Sequence, residues 1–246
     1  MTTPGSNREA FLARVRQATV AGRAHRVSVA KVEDQAGYIG ADGDLCAALV
    51  REVNDVGGRA RLAESWQQAR QMLVQLLRSM EPRRVLCWRH DVLESIALHA
   101  LLAEMKIEFH NIEGLAELPE AERRSWMMQA DVGITSATHA VAETGSLVMH
   151  AGVGCERVTS LLPPVHIAVV AESQIVPDLF DALARMRDPG SGALPSNVTL
   201  ITGPSKTGDI ELQLTTGVHG PGKWHVIVVR ETAANAVRAV TPGEKP

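Results

Sequence analysis

From Val85 to Val229 short apolar runs alternate with segments of helical periodicity, and this rhythm limits the fold more than any other feature of the chain. Residues 85–88, 107–110, 131–134, 146–149, 165–170, 198–202 and 224–229 read as strands. Between them the pattern predicts helices over about 91–105, 120–128, 156–162 and 176–186, and another starting at Asp209. Several strands are apolar on both faces, as in a sheet covered on each side. The expectation is an α/β fold, with a mostly parallel sheet flanked by helices.

Upstream, Ser6-Asn7-Arg8-Glu9 has capping-box spacing ahead of Phe11, Leu12, Val15 and Ala18. Asp42 or Asp44 opens a second helix closed by Gly57-Gly58, and Ser65 opens a third that must stop before Pro82. The reading is a single domain: a helical segment of about 1–58, an α/β core of about 59–230 and a loose tail over 233–246. A loop rich in Pro, Gly and Ser covers 188–196. Aromatic residues make up 3%, so the core must be built of Val, Leu, Ile, Ala and Met.

Lys and Arg number 25 against 28 Asp and Glu, a net charge of −3 that gives no reason to expect nucleic acid or an anionic membrane as partner. The apolar stretches, such as Ile167-Ala168-Val169-Val170-Ala171, fall far short of the roughly 20 residues that span a bilayer. No basic stub followed by an apolar block begins the chain, and a cytoplasmic location is expected. Cys46, Cys87 and Cys155 are widely separated, which argues against a disulfide framework, a zinc site or an iron–sulfur site within this chain. Walker, dinucleotide-fingerprint and nucleophile-elbow patterns are absent. No metal or cofactor is expected here.

Three clusters carry candidate chemistry. In the first, Gly203-Pro204-Ser205-Lys206-Thr207-Gly208-Asp209-Ile210-Glu211 follows a strand. If Asp209 begins a helix, free N–H groups, two hydroxyls and an ammonium gather at a strand's carboxyl end, where open α/β sheets bind ligands and helix starts favour anions. The plain alternative is an N-cap and its loop. In the second, which runs from Gly133 through Thr135 to Ser146, Thr138, His139, Thr144 and Ser146 are placed to line a cleft, with Glu143 as a general base if burial raises its pKa. Here Thr144-Gly145-Ser146 reads equally as a tight turn with positive φ at Gly145, and His139 as part of a helical turn. In the third, His219 lies between two glycines on a loop before the last strand, suited to proton transfer or carboxylate recognition, or simply to a chain reversal. His166, after Pro163-Pro164, reads as positional, its alternative being to face the cleft.

In this order, Val132-Gly133-Ile134-Thr135, Ala142-Glu143-Thr144-Gly145-Ser146, Leu162-Pro163-Pro164-Val165-His166, the block from Gly203 to Glu211 and Gly217-Val218-His219-Gly220-Pro221 resemble the lactate-utilisation (LUD) domain family. The similarity covers about residues 83–229 and is nearest the family's shorter branch. It implies a fold like the sugar-isomerase and CoA-transferase superfamily. It also implies a part in oxidising L-lactate to pyruvate, with the iron–sulfur clusters held by partner subunits. The resemblance marks these motif positions as site candidates but supplies no catalytic residue. From their own chemistry Glu143 and His219 are the candidates for proton handling, and Thr135, Thr144, Ser146, Gly203, Ser205, Lys206, Thr207, Asp209 and Glu211 those for holding a small carboxylate or other anion. A rival reading on the same fold is a free-standing enzyme acting on a phosphate- or CoA-bearing small molecule, like a CoA-transferase or a folate cyclo-ligase.

Overall fold

Several helices begin where the sequence supplies a side-chain cap. Asp44 accepts from the Ala47 N–H at 3.1 Å ahead of α2 (Leu45–Asp55), and Ser65 accepts from Gln68 N–H at 3.2 Å ahead of α3 (Trp66–Met80). The computed structural model describes residues 4–23, 40–187, 195, 197–210 and 213–231. These fall into two compact units, Met1–Ile39 and Gly40–Pro246. The first holds α1 (Pro4–Arg23), which starts at Pro4, a residue suited to the first helical position, ahead of the Ser6 box. The loop over 188–196, save residue 195, and the tail over 233–246 lie outside the described residues.

In the second unit a six-stranded, wholly parallel sheet has the order β1 (Arg59–Ala63), β12 (Lys223–Val229), β7 (Val165–Ala171), β4 (Val132–Thr135), β2 (Arg84–Cys87), β3 (Glu108–His110). Strand β1 was not foreseen, because Arg59 and Arg61 alternate with only three apolar positions. A second, four-stranded sheet runs β8 (Ile175–Val176), β5 (His139–Val141), β6 (Ser146–His150), β9 (Val198–Ile201), with antiparallel pairing on both sides of β6. The core is continuous through Val85, Ile134, Ile167, Val169, Val226 and Val228, all buried. Smaller clusters join Leu86 to Leu115 and Trp126 of α6 (Ile112–Ala116) and α7 (Glu120–Met128), and Val148 and Val176 to Ala182 of α9 (Leu179–Arg187).

Four local expectations are corrected. The helix over 91–105 is two, α4 (Asp91–Ser95) and α5 (Leu98–Glu104), broken at Ala97 with φ 51°. The Arg70 guanidinium donates to the Ile96 and Ala97 carbonyls at 2.8 and 3.0 Å, offsetting the ~1 kcal/mol of left-handed strain. His139 belongs to strand β5, which returns through a turn with Gly145 at φ 63°. The segment 176–186 opens as β8 and becomes helical only at Leu179. The helix expected at Asp209 is a β-hairpin, β10 (Lys206–Ile210) against β11 (Gln213–Thr216). Thr207, Thr215 and Thr216 are β-branched and favour extended backbone, which outweighs the single capping cue.

At the carboxyl ends of β1, β12 and β7, Arg230 lies 2.7 Å from Asp44, 3.4 Å from Glu64 and 3.9 Å from Glu172. No described helix is long and apolar enough to cross a membrane.

Candidate functional site

Strands β7 and β12 run in register with Lys223 beside Val165 and Trp224 beside His166. Side chains alternate between faces, so Trp224 and His166 share one face at the amino ends of their strands. Over that face lie α8 (Val158–Leu161), the loop after β9 and the loop before β12, enclosing a cleft of about 250 Å³. The cleft therefore sits at the amino edge of the parallel sheet. Its loop does follow a strand's carboxyl end, as the sequence suggested, but that strand, β9, belongs to the second sheet.

Two backbone features close this cover. At Gly133 of β4 a Cβ would fall 1.8 Å from the Thr159 carbonyl oxygen, so only glycine lets α8 lie this close to the sheet. Gly203 has φ 85°, and a Cβ there would meet the Val56 carbonyl at 2.8 Å. The two loops are stitched together: Ser205 N–H donates to the Pro221 carbonyl and Gly217 N–H to the Ser205 carbonyl, each at 2.9 Å.

The polar atoms beneath are unusual. His166 is fully buried, with Nε2 2.7 Å from Thr135 Oγ1, and burial pushes its pKa down to about 3, leaving a neutral imidazole. Its Nδ1 is buried without a partner among the described residues, and so is Nε1 of Trp224. An unmet buried polar atom costs about 1–3 kcal/mol, so two beside one cleft point to a bound polar group. Ser205 and exposed His219 complete the lining, which includes no Asp, Glu, Lys or Arg. Such a site offers neutral donors and imidazoles: it can orient the oxygens of a small, singly charged molecule and pass a proton, but has no cation for a polyphosphate.

The structure brings together part of the expected set. Thr135, Gly203, Ser205 and His219 meet at or directly behind the cleft. Thr144 and Ser146 reach it through a hydroxyl chain, Thr144 Oγ1 to Ser146 Oγ at 2.8 Å and Ser146 Oγ to Thr202 Oγ1 at 2.6 Å. Lys206 instead donates from Nζ to the Val56 carbonyl at 2.7 Å, closing the carboxyl end of α2, and Thr207 pairs with Thr215 in the hairpin. Asp209 stands in extended β10, so the helix start that would have served an anion there is absent; Glu211 lies outside the described residues. Glu143 sits on the turn after β5, its N–H donating to the Pro177 carbonyl, away from the cleft lining. Trp224 was overlooked; its signal was its even register with His166 along the two strands. Burial holds the thiols of Cys46 and Cys87 up at about 12 and that of Cys155 at about 11, which makes all three poor nucleophiles.

The LUD domain family model matches residues 46–229 of this chain. A lactate utilization protein C of Halalkalibacterium halodurans is 34% identical over 164 residues, covering 65% of this chain and 69% of that protein. A lactate utilization protein C of Bacillus subtilis is 41% identical over 105 residues, 42% of this chain and 44% of its own length. The crystal structure of a DUF162 family protein from Deinococcus radiodurans superposes with a TM-score of 0.54 at 21% identity, covering 75% of this chain and 96% of that one. That likeness shows the fold.

Proposed function

This chain belongs to the LUD domain family, and from that premise we propose that it acts in lactate utilisation as a protein C-like subunit, binding a small carboxylate in the cleft between His166, Trp224 and the Ser205 and His219 loops. The observation that carries the binding site is the pair of unpartnered buried ring nitrogens, His166 Nδ1 and Trp224 Nε1, under a glycine-rich cover. A hydroxy acid or keto acid of three carbons suits about 250 Å³, and a single carboxylate suits neutral donors where a polyanion would lack counter-charge.

In this reading the protein works in the cytoplasm beside iron–sulfur partner proteins that oxidise L-lactate to pyruvate. The electron-carrying clusters belong to those partners, and this chain presents or retains the organic acid. Ser205 and Trp224 hold carboxylate oxygens, while His219 at the rim handles a proton. Glu143 is set aside from that role by its place outside the cleft lining.

Calorimetric titration with pyruvate and L-lactate, paired with growth of a deletion strain on L-lactate, tests the assignment. Ser205→Ala and His219→Ala are expected to weaken binding about tenfold each and to slow growth, while the protein still folds. Binding and growth unchanged in both variants would overturn the site. Recovery of the tagged protein from lactate-grown cells without cysteine-rich companions would overturn the partnership.

A further inference from the structure

The other face of β1 and β12 carries a different chemistry. Arg59 lies in register with His225 and Arg61 with Ile227, so by alternation Arg59, Arg61, Lys223 and His225 project to one face, opposite to Trp224. With Leu76 and Met80 of α3 they line a pocket of about 530 Å³. That lining holds three permanent cations and no carboxylate, in a chain whose net charge is −3.

Some arginines of this unit are neutralised, Arg70 by Glu104, Arg84 by Glu108 and Arg230 by three carboxylates. The side chains of Arg59, Arg61 and Lys223 make no hydrogen bond or ion pair among the described residues. In the adjoining cavity, which shares Lys223, the carboxylate of Asp131 already accepts from the Arg83 and Arg84 N–H groups at 2.8 and 3.0 Å. A second, independent sign comes from His225. It is 4% exposed, and its Nε2 is buried without a partner among the described residues. Three uncompensated cations around one unmet imidazole nitrogen leave a shortage of negative charge and of hydrogen-bond partners at one place.

We infer that this pocket binds a small molecule through a phosphate or pyrophosphate group, with Arg59, Arg61 and Lys223 on its oxygens and His225 Nε2–H donating from below. The guanidinium forks match the paired oxygens of a phosphate, and the apolar wall of Leu76, Met80 and Ile227 takes the uncharged part of the molecule. Its volume lies within the range of small-molecule sites. The site is separate from the carboxylate cleft, since strand alternation places the two on opposite faces of the sheet.

Inorganic pyrophosphate is the probe, titrated calorimetrically into the full chain at fixed ionic strength, with citrate as a second polyanion. Pyrophosphate is expected to bind the wild type with a submillimolar Kd and more tightly than citrate. The Arg59→Gln/Arg61→Gln double variant, altered at two exposed positions, should lose at least roughly tenfold in affinity for pyrophosphate. Ser205→Ala should bind pyrophosphate as the wild type does, which separates this site from the carboxylate cleft. Thermal unfolding without ligand checks that the double variant is folded, and Lys223→Gln replaces it if it is not. Pyrophosphate binding no stronger than that of citrate, or unaffected by loss of the arginines, would overturn the assignment.

Discussion

Trp224 and His225 are neighbours in sequence, yet the two faces they serve differ in almost every physical respect. On the Trp224 face, loops and α8 close over a cleft of about 250 Å³ with no Asp, Glu, Lys or Arg in its lining among the described residues. On the His225 face, a pocket of about 530 Å³ gathers three cations from edge strand β1 and its neighbour β12. The strand backbone is the same for both. What separates them is the period-two alternation, which sorts consecutive residues onto opposite sides, and the cover that each side receives. A closed cover demands small residues and neutral groups, because a buried charge needs a partner. An open edge tolerates unpaired arginines, since water solvates them until a ligand arrives.

The strongest way to break this contrast is Gly133→Ala. Its methyl group would strike the Thr159 carbonyl, and the closed face should lose at least about 3 kcal/mol of stability in urea unfolding. Little change would mean that α8 can be displaced freely. Next in size is acid sensitivity. The folded-state value of His166, near 3, lies below its ordinary 6.5, so the unfolded chain binds the proton more readily. The stability owed to keeping this ring neutral is whole above about pH 6.5 and is lost as pH falls toward 3. The slope is at most about 1.4 kcal/mol per pH unit, and His166→Gln should flatten the pH profile by that amount.

Trp224→Phe sharpens the contrast between ligands: pyruvate affinity should drop about tenfold while pyrophosphate affinity holds, measured by titration of the same preparation. The smallest effect is expected from Lys206→Met. Loss of the bond to the Val56 carbonyl should lower stability by about 1 kcal/mol in chemical denaturation, with pyruvate affinity unchanged. A large fall in pyruvate affinity would return this lysine to the ligand.

The main sheet was legible because β2, β4, β7 and β12 are short apolar runs that no solvated element could accommodate, and Asp44 and Ser65 marked their helices by capping chemistry. In the second sheet β6 and β9 were legible as strands, but β5, β8 and their grouping into a separate sheet were not. His139-Ala140-Val141 is too short to show a period, and its strand character comes from pairing with β6, a tertiary cause. The hairpin at Lys206 was hidden by a real capping cue at Asp209 that the threonines of both strands override. For the site, the glycines and hydroxyls of the Gly203 loop do line a cleft, but the lysine among them drew attention to charge. Lys206 proved to serve a helix end, and the chemistry lay in His166 and Trp224, whose shared face follows only from strand register.

Strand β1, which ends at Ala63, has a single strand neighbour, and that neighbour begins at Lys223. During synthesis the first strand of the sheet must wait, unpaired, until nearly the whole unit has left the ribosome, because no earlier strand lies beside it. Such a sheet cannot zip up in order of translation: its last segment inserts between two strands already made, β1 and β7, and completes both ladders at once. A chain arrested just before Lys223 would carry two bare strand edges, and it is in this interval that the protein most needs protection from aggregation.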